Sequence, residues 1–197
     1  MSSEIEIETI PGIPGELPAG EHVLWQGKPT AGGLARSTFK LRGLVFYFAI
    51  FIGVRVVMAI RSHEGLHGVS ESLLAVLAAG SCIGMLYGIA WLHARAAIYT
   101  ITNRRIVLRI GIAIPMTWNL PFKRLASADL AVRNAADGDI VLQLTEPNRI
   151  AWLHLWPHVA PGNIVKARPT LRAISAPAHV AAILSDAVAA STATVLP

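Results

Sequence analysis

The longest apolar run in the chain extends from Ser72 to Leu92 and contains neither a charged residue nor a proline. A helix of these 21 residues would be about 30 Å long, which matches the hydrocarbon core of a bilayer. A helix buried in a soluble protein would normally show a polar face over such a length. The pattern therefore predicts a membrane-spanning helix at residues 72–92.

A second apolar run covers residues 43–60 and is interrupted only by Arg55. We interpret it as a second spanning helix. A charged arginine is costly inside a bilayer, but Arg55 lies five residues from the end of the run and can extend its side chain to the interface. The alternative is that a partner's helix supplies a salt bridge or a pigment contact to Arg55.

The charged residues around the two runs predict their orientation. Residues 61–71 carry one arginine against two glutamates. The other ends of the runs are flanked by basic residues, which are Arg36, Lys40 and Arg42 before the first run and Arg95, Arg104, Arg105 and Arg109 after the second. By the positive-inside rule, we expect both termini in the cytoplasm and residues 61–71 in the periplasm.

Three glycines recur every fourth residue in the second run, at Gly80, Gly84 and Gly88. They fall on one helix face, where the backbone of another helix can approach closely. The pattern predicts a packing face for the hairpin or for a second molecule. The alternative is that these glycines are merely tolerated in a membrane helix.

Downstream of the second run, apolar and polar residues alternate with a period of two, which is typical of strands. Six short strands are predicted, at 98–102, 105–110, 116–120, 126–133, 139–145 and 149–155, with turns at Asn103–Arg104, Pro121, Ala136–Gly138 and Glu146–Asn148. This spacing favours a small antiparallel barrel or sandwich. Pro177 can open a helix that extends to Ala190 and caps the barrel.

The predicted class is an α+β integral membrane protein in which a two-helix transmembrane hairpin carries an antiparallel β domain with a C-terminal capping helix. An acidic segment rich in proline and glycine (1–42) is expected at the membrane surface. The further parts are the first spanning helix (43–60), a periplasmic loop (61–71), the second spanning helix (72–92), the cytoplasmic β domain (93–190) and a frayed tail (191–197).

The amino-acid composition supports a membrane protein and excludes some kinds of covalent and metal sites. Hydrophobic residues make up 53% of the chain and charged residues 15%, against about 25% charged residues in soluble domains. The net charge of +5 is explained first by basic residues retained on the cytoplasmic side and second by contact with anionic lipids. Binding of nucleic acid is a weaker explanation, because the sequence contains no nucleic-acid-binding motif. The single cysteine, Cys82, excludes an internal disulfide and a cysteine-based zinc site.

The residues that could support catalysis or metal binding form no recognisable motif. His154 and His158 have the spacing of metal ligands on a helix, but Pro157 separates them and no glutamate of an HExxH motif accompanies them. Asp137 and Asp139 are interpreted as hairpin-turn residues. We therefore expect a protein that is not an enzyme and that holds no resident metal or cofactor.

Two histidines are candidates for transient contact with a pigment. His93, just past the second apolar run, and His22 could in principle ligate the magnesium of a chlorin. The alternative is that both are ordinary surface histidines, and no motif around either residue decides between the two.

The most conspicuous candidate site is an aromatic stretch in the last predicted strand. In a strand, Trp152, His154 and Trp156 would share one face, while the intervening leucines would face the core. If this face is exposed, it forms with His158 an aromatic patch of the kind that anchors a protein partner or lies at lipid headgroups. The alternative is that the tryptophans pack under the capping helix.

The chain resembles the photosynthetic complex assembly proteins called PuhB, a family built on a bacterial pleckstrin-homology-like (PH-like) domain. The resemblance covers most of the chain and rests on Gly20–Pro29, Tyr99–Arg105, Asn119–Arg124 and Trp152–His158, the last followed by Arg168–Ile174. It implies a PH-like fold in a protein of the bacterial inner, photosynthetic membrane that helps the reaction centre and its core light-harvesting complex assemble, without catalysis. The partners that it implies are subunits of those complexes.

Membrane lipids and a second copy of the chain are further candidate partners. The alternative function is that of a general bacterial envelope protein whose PH-like domain acts as a scaffold or organises lipids.

Overall fold

The structure, a computed structural model, describes residues 10–62, 65–133, 137–145, 150–162 and 166–193. Within this part of the chain, the strands are β1 (Val23–Gly27), β2 (Ile98–Thr102), β3 (Arg105–Ile110), β4 (Met116–Pro121), β5 (Leu125–Val132), β6 (Asp137–Leu144) and β7 (Thr170–Ser175). The α-helices are α1 (Ala31–Ser37), α2 (Leu41–Arg61), α3 (Gly65–Ala96), α4 (Trp152–Leu155) and α5 (Pro177–Ala193). The predicted turn at Glu146–Asn148 and residues 194–197 of the predicted tail lie outside the described residues.

The strands form two antiparallel sheets that share one core. The first sheet has the order β1-β2-β3-β4 and the second the order β5-β6-β7. Tyr99, Leu108, Leu142 and Leu171, which come from both sheets, are fully buried in a common apolar cluster. The α+β class with an antiparallel β domain is therefore confirmed.

The fold prediction allowed a barrel or a sandwich, and a closed barrel was wrong, because β4 and β5 belong to separate sheets. β4 ends at Pro121, and a 3-10 turn at Phe122–Arg124 leads directly into β5. Proline has no N–H to donate, so it interrupts a strand ladder at this point. The capping helix is present as α5, whose Val180 and Leu184 are buried in the shared core.

The first five predicted strands correspond to β2–β6, whereas the sixth, at 149–155, was wrong, because Trp152–Leu155 is the helical turn α4. The seventh strand of the structure, β7, completes the second sheet and pairs with β6, for example at Val141 and Thr170. No strand was predicted there.

The predicted boundary between the N-terminal segment and the β domain was wrong, because from Val23 onwards the segment is part of the folded domain. Its position at a membrane surface stays a prediction. β1 pairs antiparallel with β2, so that Gly27 lies opposite Tyr99. α1 follows and packs on the last turns of α3, where Leu34 of α1 and Ala90 of α3 are completely buried in one cluster. The segment thus joins the sheet to the long helices.

The two apolar runs form α2 and α3, and both helices are long enough and apolar enough to cross a membrane. Their most apolar 18-residue windows are 0% and 11% buried, so they are not core helices of the β domain. The predicted loop at 61–71 was too long, because α3 already begins at Gly65 and residues 65–72 contain no proline that would end the helix. Arg55 of α2 forms an ion pair with Glu71 of α3, so its partner lies within the chain.

The glycine face does not pack inside the hairpin. A Cβ atom added at Gly80, Gly84 or Gly88 would meet no atom within 4 Å. The hairpin interface instead uses the face of α3 that carries buried Gly68 and Ala79. The prediction of close packing within the hairpin was therefore wrong, and contact with a second molecule stays a prediction.

Candidate functional site

α4 is a single helical turn, and its backbone hydrogen bonds explain why the predicted strand does not form. The N–H of Trp156 donates to the carbonyl of Trp152 at 3.1 Å, and the N–H of His158 donates to the carbonyl of Leu155 at 2.6 Å. These local bonds use groups that a strand would pair with a neighbour. Leu155 is buried, but Leu153 is 76% exposed, so the two leucines do not share a core-facing side.

The four predicted partner-binding residues have different environments. Trp152 is half-buried and packs against the shared core, whereas His154 is exposed, with its ring centroid 6.5 Å from that of Trp118. Trp156 is 37% exposed and His158 is fully buried. The predicted common face of Trp152, His154 and Trp156 was therefore wrong, and the exposed part of the stretch consists of Leu153, His154 and Trp156.

Trp156 connects the long helices to the β domain. Its ring meets Phe39, just before α2, with centroids 5.7 Å apart, and His93 of α3 with centroids 5.5 Å apart, both edge to face. His93 in turn lies 6.2 Å from the ring of His158, and His158 lies 5.7 Å from the ring of Tyr99. We call these five residues the junction cluster.

Hydrogen bonds fix the buried end of the junction cluster. The hydroxyl oxygen of Tyr99 accepts the backbone N–H of Arg172 at 3.3 Å, and the hydroxyl lies 2.5 Å from Nδ1 of His158. Burial lowers the pKa of His158 to about 3, and the nearby His93 and Arg172 act in the same direction. Burial also raises the pKa of the Tyr99 hydroxyl above its usual range. His158 is therefore neutral at pH 7, with Nδ1 as an acceptor for the Tyr99 hydroxyl and the proton on Nε2.

Asp137 and Asp139 were predicted as turn residues, but both lie in β6 and both are buried. Asp137 pairs with Arg36 of α1 and accepts a hydrogen bond from the Thr30 hydroxyl at 3.1 Å. These contacts fasten α1 to the second sheet.

Asp139 holds β7 in a similar way. Its carboxylate pairs with Arg133, lies 3.9 Å from Nε of Arg172 and accepts the backbone N–H of Ala173 at 2.9 Å. Burial lowers the pKa of Arg172, while the charge of Asp139 opposes that shift. Arg172 and Asp139 are both buried, and removing one partner from such a pair typically costs about 3–5 kcal/mol. Arg133 is 38% exposed, so water screens its pair and its contribution is smaller. Asp139 therefore maintains the fold around the junction cluster.

The basic residues predicted to flank the membrane fall into two groups. Arg42 lies in the first turn of α2, and the guanidinium of Arg95 lies 5.4 Å from the ring centroid of Trp91 near the end of α3. Arg104 instead lies in the turn after β2, a strand that carries the chain away from α3, and Arg105 is the first residue of β3. Arg105 pairs with Glu21 at 2.8 Å. The prediction that these two flank the second helix was wrong.

The structure places the two candidate pigment ligands apart. His22 is exposed and precedes β1. His93 was predicted just beyond the second helix, but it lies in the last turn of α3. In the part of the chain that the structure describes, there is no group of three or more histidine, cysteine, aspartate or glutamate side chains that could hold a metal ion.

Several residues of the junction were not found from the sequence. Phe39 appeared only within the N-terminal segment, and Tyr99 only within a predicted strand and a family motif, since their partners are far away in the chain. Asp137 and Asp139 are two residues apart, so in one strand they share a face and need cationic partners when that face is buried. The predicted strand began only at Asp139, so this signal was missed.

With the fold and the junction described, comparison with known proteins defines the class. The sequence matches the family described as Bacterial PH domain over residues 42–187, and the chain belongs to this family. The chain is also 37% identical over 188 residues to a Rhodobacter capsulatus protein described as an uncharacterized 23.7 kDa protein in the puhA 5′ region, with 93% of this chain and 87% of that protein aligned.

One solved structure is also similar in part. It is the crystal structure of a DUF1696 family protein with a pleckstrin-homology domain from Shewanella loihica, with a TM-score of 0.32 and 10% sequence identity. The match covers 47% of this chain and 71% of that one.

Proposed function

We propose that this protein is a membrane-anchored assembly factor for the photosynthetic reaction centre and its core light-harvesting complex, and that it acts by binding their subunits. The observation that carries the proposal is the 37% identical relative in the puhA 5′ region, since this neighbourhood suggests a link to photosynthesis. The motifs from Gly20–Pro29 to Arg168–Ile174 resemble the same class of assembly protein.

Membrane insertion of α2 and α3 is the first element of the proposal. Large apolar side chains on both helices are exposed, among them Phe46, Met58, Leu74 and Met85. Soluble proteins rarely leave a continuous apolar surface of this kind in water. A bilayer would cover it, with α1 and the β domain on the side where α2 begins and α3 ends.

The second element is a binding surface at the junction cluster. Leu153 and Trp156 expose apolar surface beside the end of α3, and the contacts of Trp156 with Phe39 and His93 fix its ring. A fixed aromatic side chain loses little conformational entropy on binding and is enriched among residues that dominate interfaces. The surface therefore suits a partner that meets the protein at the membrane surface.

The third element is that the mechanism is binding. The buried carboxylates of Asp137 and Asp139 are held in ion pairs, and the neutral His158 accepts the hydrogen bond of the Tyr99 hydroxyl. These groups therefore support a fixed recognition surface. A general envelope scaffold is the competing function, and it differs in the partners that it predicts.

Affinity purification from mildly solubilised membranes of a phototrophic host tests the proposal. Reaction-centre and core light-harvesting subunits should co-elute with the tagged parent chain. Leu153→Ser should reduce their recovery by roughly fivefold, as expected for the loss of about 1 kcal/mol of apolar contact. Leu130→Ser, at an exposed leucine of β5, is the matched control and should leave recovery unchanged. Absence of these subunits from the parent eluate would contradict the proposal.

A further inference from the structure

A cavity of about 190 Å³ lies where α1, the start of α2 and the second sheet meet. We call it the basic pocket, and its lining residues are Gly33, Arg36, Arg42, Arg133, Asp137 and Ala173. It includes Asp137 of β6 in its lining and shares no lining residue with the exposed surface at Leu153–Trp156. Three guanidinium groups and one carboxylate thus face the same small space.

The ion pairs around the pocket leave an excess of positive charge. Arg36 is paired with Asp137, and Arg133 is paired with Asp139, whose carboxylate also lies near the guanidinium of buried Arg172. Together with Arg42, four guanidinium groups therefore surround two carboxylates. A partly enclosed site of this charge attracts an anion, because fewer waters screen the interaction there than at an open surface.

Arg42 is the guanidinium that the fold leaves available. Its side chain is exposed and lines the pocket, and among the described residues it has no hydrogen-bond or ion-pair partner. The first turn of α2 contains no acidic residue, and the side chain of Lys40 at the N-cap makes no capping bond. Nothing in this turn neutralises Arg42.

The wall formed by α1 and β7 is closely packed, so the pocket is preformed. A Cβ atom at Gly33 would lie 2.5 Å from Cβ of Ala173 and 2.5 Å from the hydroxyl oxygen of Thr30. The N–H of Thr30 also donates to the carbonyl of Ala173 at 2.8 Å. α1 therefore has a fixed position against β7, while the carboxylates of Asp137 and Asp139 hold the guanidinium groups of Arg36 and Arg133.

We propose that the basic pocket binds a phosphate group, and that its usual source is the headgroup of an anionic phospholipid. The planar guanidinium groups of Arg36, Arg42 and Arg133 match phosphate oxygens in charge and in geometry. Arg42 precedes the apolar part of α2 by one residue, so the pocket lies at headgroup depth if α2 enters the bilayer. The depth argument rests on the proposed membrane insertion, whereas recognition of phosphate rests on the pocket alone.

Thermal unfolding of the purified full-length chain in a non-ionic detergent measures this binding. The probes are short-chain phosphatidylglycerol, phosphatidylcholine with the same acyl chains, and inorganic phosphate. The parent should show a saturable rise in Tm with phosphatidylglycerol that exceeds the rise with phosphatidylcholine, whose choline cation the pocket repels. If inorganic phosphate gives the saturable rise and blocks the lipid effect, the same phosphate chemistry is confirmed with a free phosphate as its source.

Arg42→Gln should weaken the binding of the phosphate-bearing probe by about tenfold, because one charge-assisted contact is lost. Arg42→Lys should retain part of the binding, since the point charge remains.

The matched control is Arg61→Gln, at the exposed arginine that ends α2. This variant should bind the probe as the parent does. Two results would overturn the proposal. The first is equal binding by the parent and Arg42→Gln. The second is a rise in Tm with phosphatidylglycerol that is no larger than the rise with phosphatidylcholine, together with no rise with inorganic phosphate. No photosynthetic subunit is present in this experiment, so its failure is separate from failure of the assembly function.

Discussion

His158 is fully buried between β2 and the end of α3, where it accepts a hydrogen bond from Tyr99 and carries no charge. Burial lowers its pKa to about 3 in the folded protein, against an ordinary value of 6.5 in the unfolded chain. Below pH 6.5 the unfolded chain therefore binds a proton that the folded chain does not. The contribution of this residue to the free energy of unfolding is fully present above pH 6.5 and is lost as the pH falls towards 3.

Replacing His158 with asparagine should remove this pH dependence, because the amide oxygen of asparagine can accept the Tyr99 hydrogen bond without titrating. In the parent, the free energy of unfolding should fall by up to about 1.4 kcal/mol per pH unit below pH 6.5 on account of this residue. Unfolding in detergent, measured at intervals from pH 7 to pH 5, should show a smaller slope for His158→Asn. Identical slopes would contradict the assignment of a buried, neutral His158.

The same junction shows the limit of inference from the sequence. The sequence singles out the aromatic stretch at 152–158 but not its backbone conformation, because one helical turn and one short strand give almost the same pattern over so few residues. Whether Trp156 or His158 is exposed depends on Phe39, His93 and Tyr99, which come from distant parts of the chain.

Helices and strands with a strong local pattern were predicted well. α2 and α3 follow from apolar length, and β2 and β3 follow from alternation together with the turn at Asn103. β1 and β7 could not be found in this way, because each pairs with a strand that is distant in the chain and not with a sequence neighbour across a turn. Secondary structure that depends on distant partners carries little local signal.

The glycine face of α3 points away from α2, and this gives a direct test of its role. Gly84→Ile should leave the hairpin intact, since a Cβ atom at this position meets no atom within 4 Å. It should instead reduce cross-linking to a second copy or to a partner helix, because the larger side chain prevents close approach of the backbones.

The matched control is Gly53→Ile on α2, where a Cβ atom also meets no neighbour within 4 Å. It should cross-link as the parent does. Unchanged cross-linking and unchanged thermal stability for Gly84→Ile would show that these glycines form no packing face.

The molecule as a whole joins a two-helix hairpin to a β domain through α1 and the junction cluster. If the hairpin spans the membrane, the connection between α2 and α3 and the β domain lie on opposite sides of it. The basic residues Arg36, Lys40, Arg42 and Arg95 lie towards the β-domain end, so the positive-inside rule predicts that this end faces the cytoplasm.

Thiol labelling in intact cells tests this orientation. In a Cys82→Ala background, Ser62→Cys at the exposed end of α2 should react with a membrane-impermeant reagent, and Ser127→Cys on exposed β5 should react only after the cells are opened. Since both serines are exposed, a difference in labelling reports the side of the membrane. Labelling of Ser127→Cys alone would reverse the topology.

The assembly function is tested most directly in a strain from which the gene is deleted. The measured quantity is the near-infrared absorption of the core complex in its membranes. An assembly factor raises the yield of a complex without supplying its chemistry, so deletion should lower the core-complex absorption while pigment synthesis continues. Expression of the parent chain from a plasmid should restore the absorption. Normal core-complex absorption in the deletion strain would contradict the assembly function and favour the general envelope scaffold.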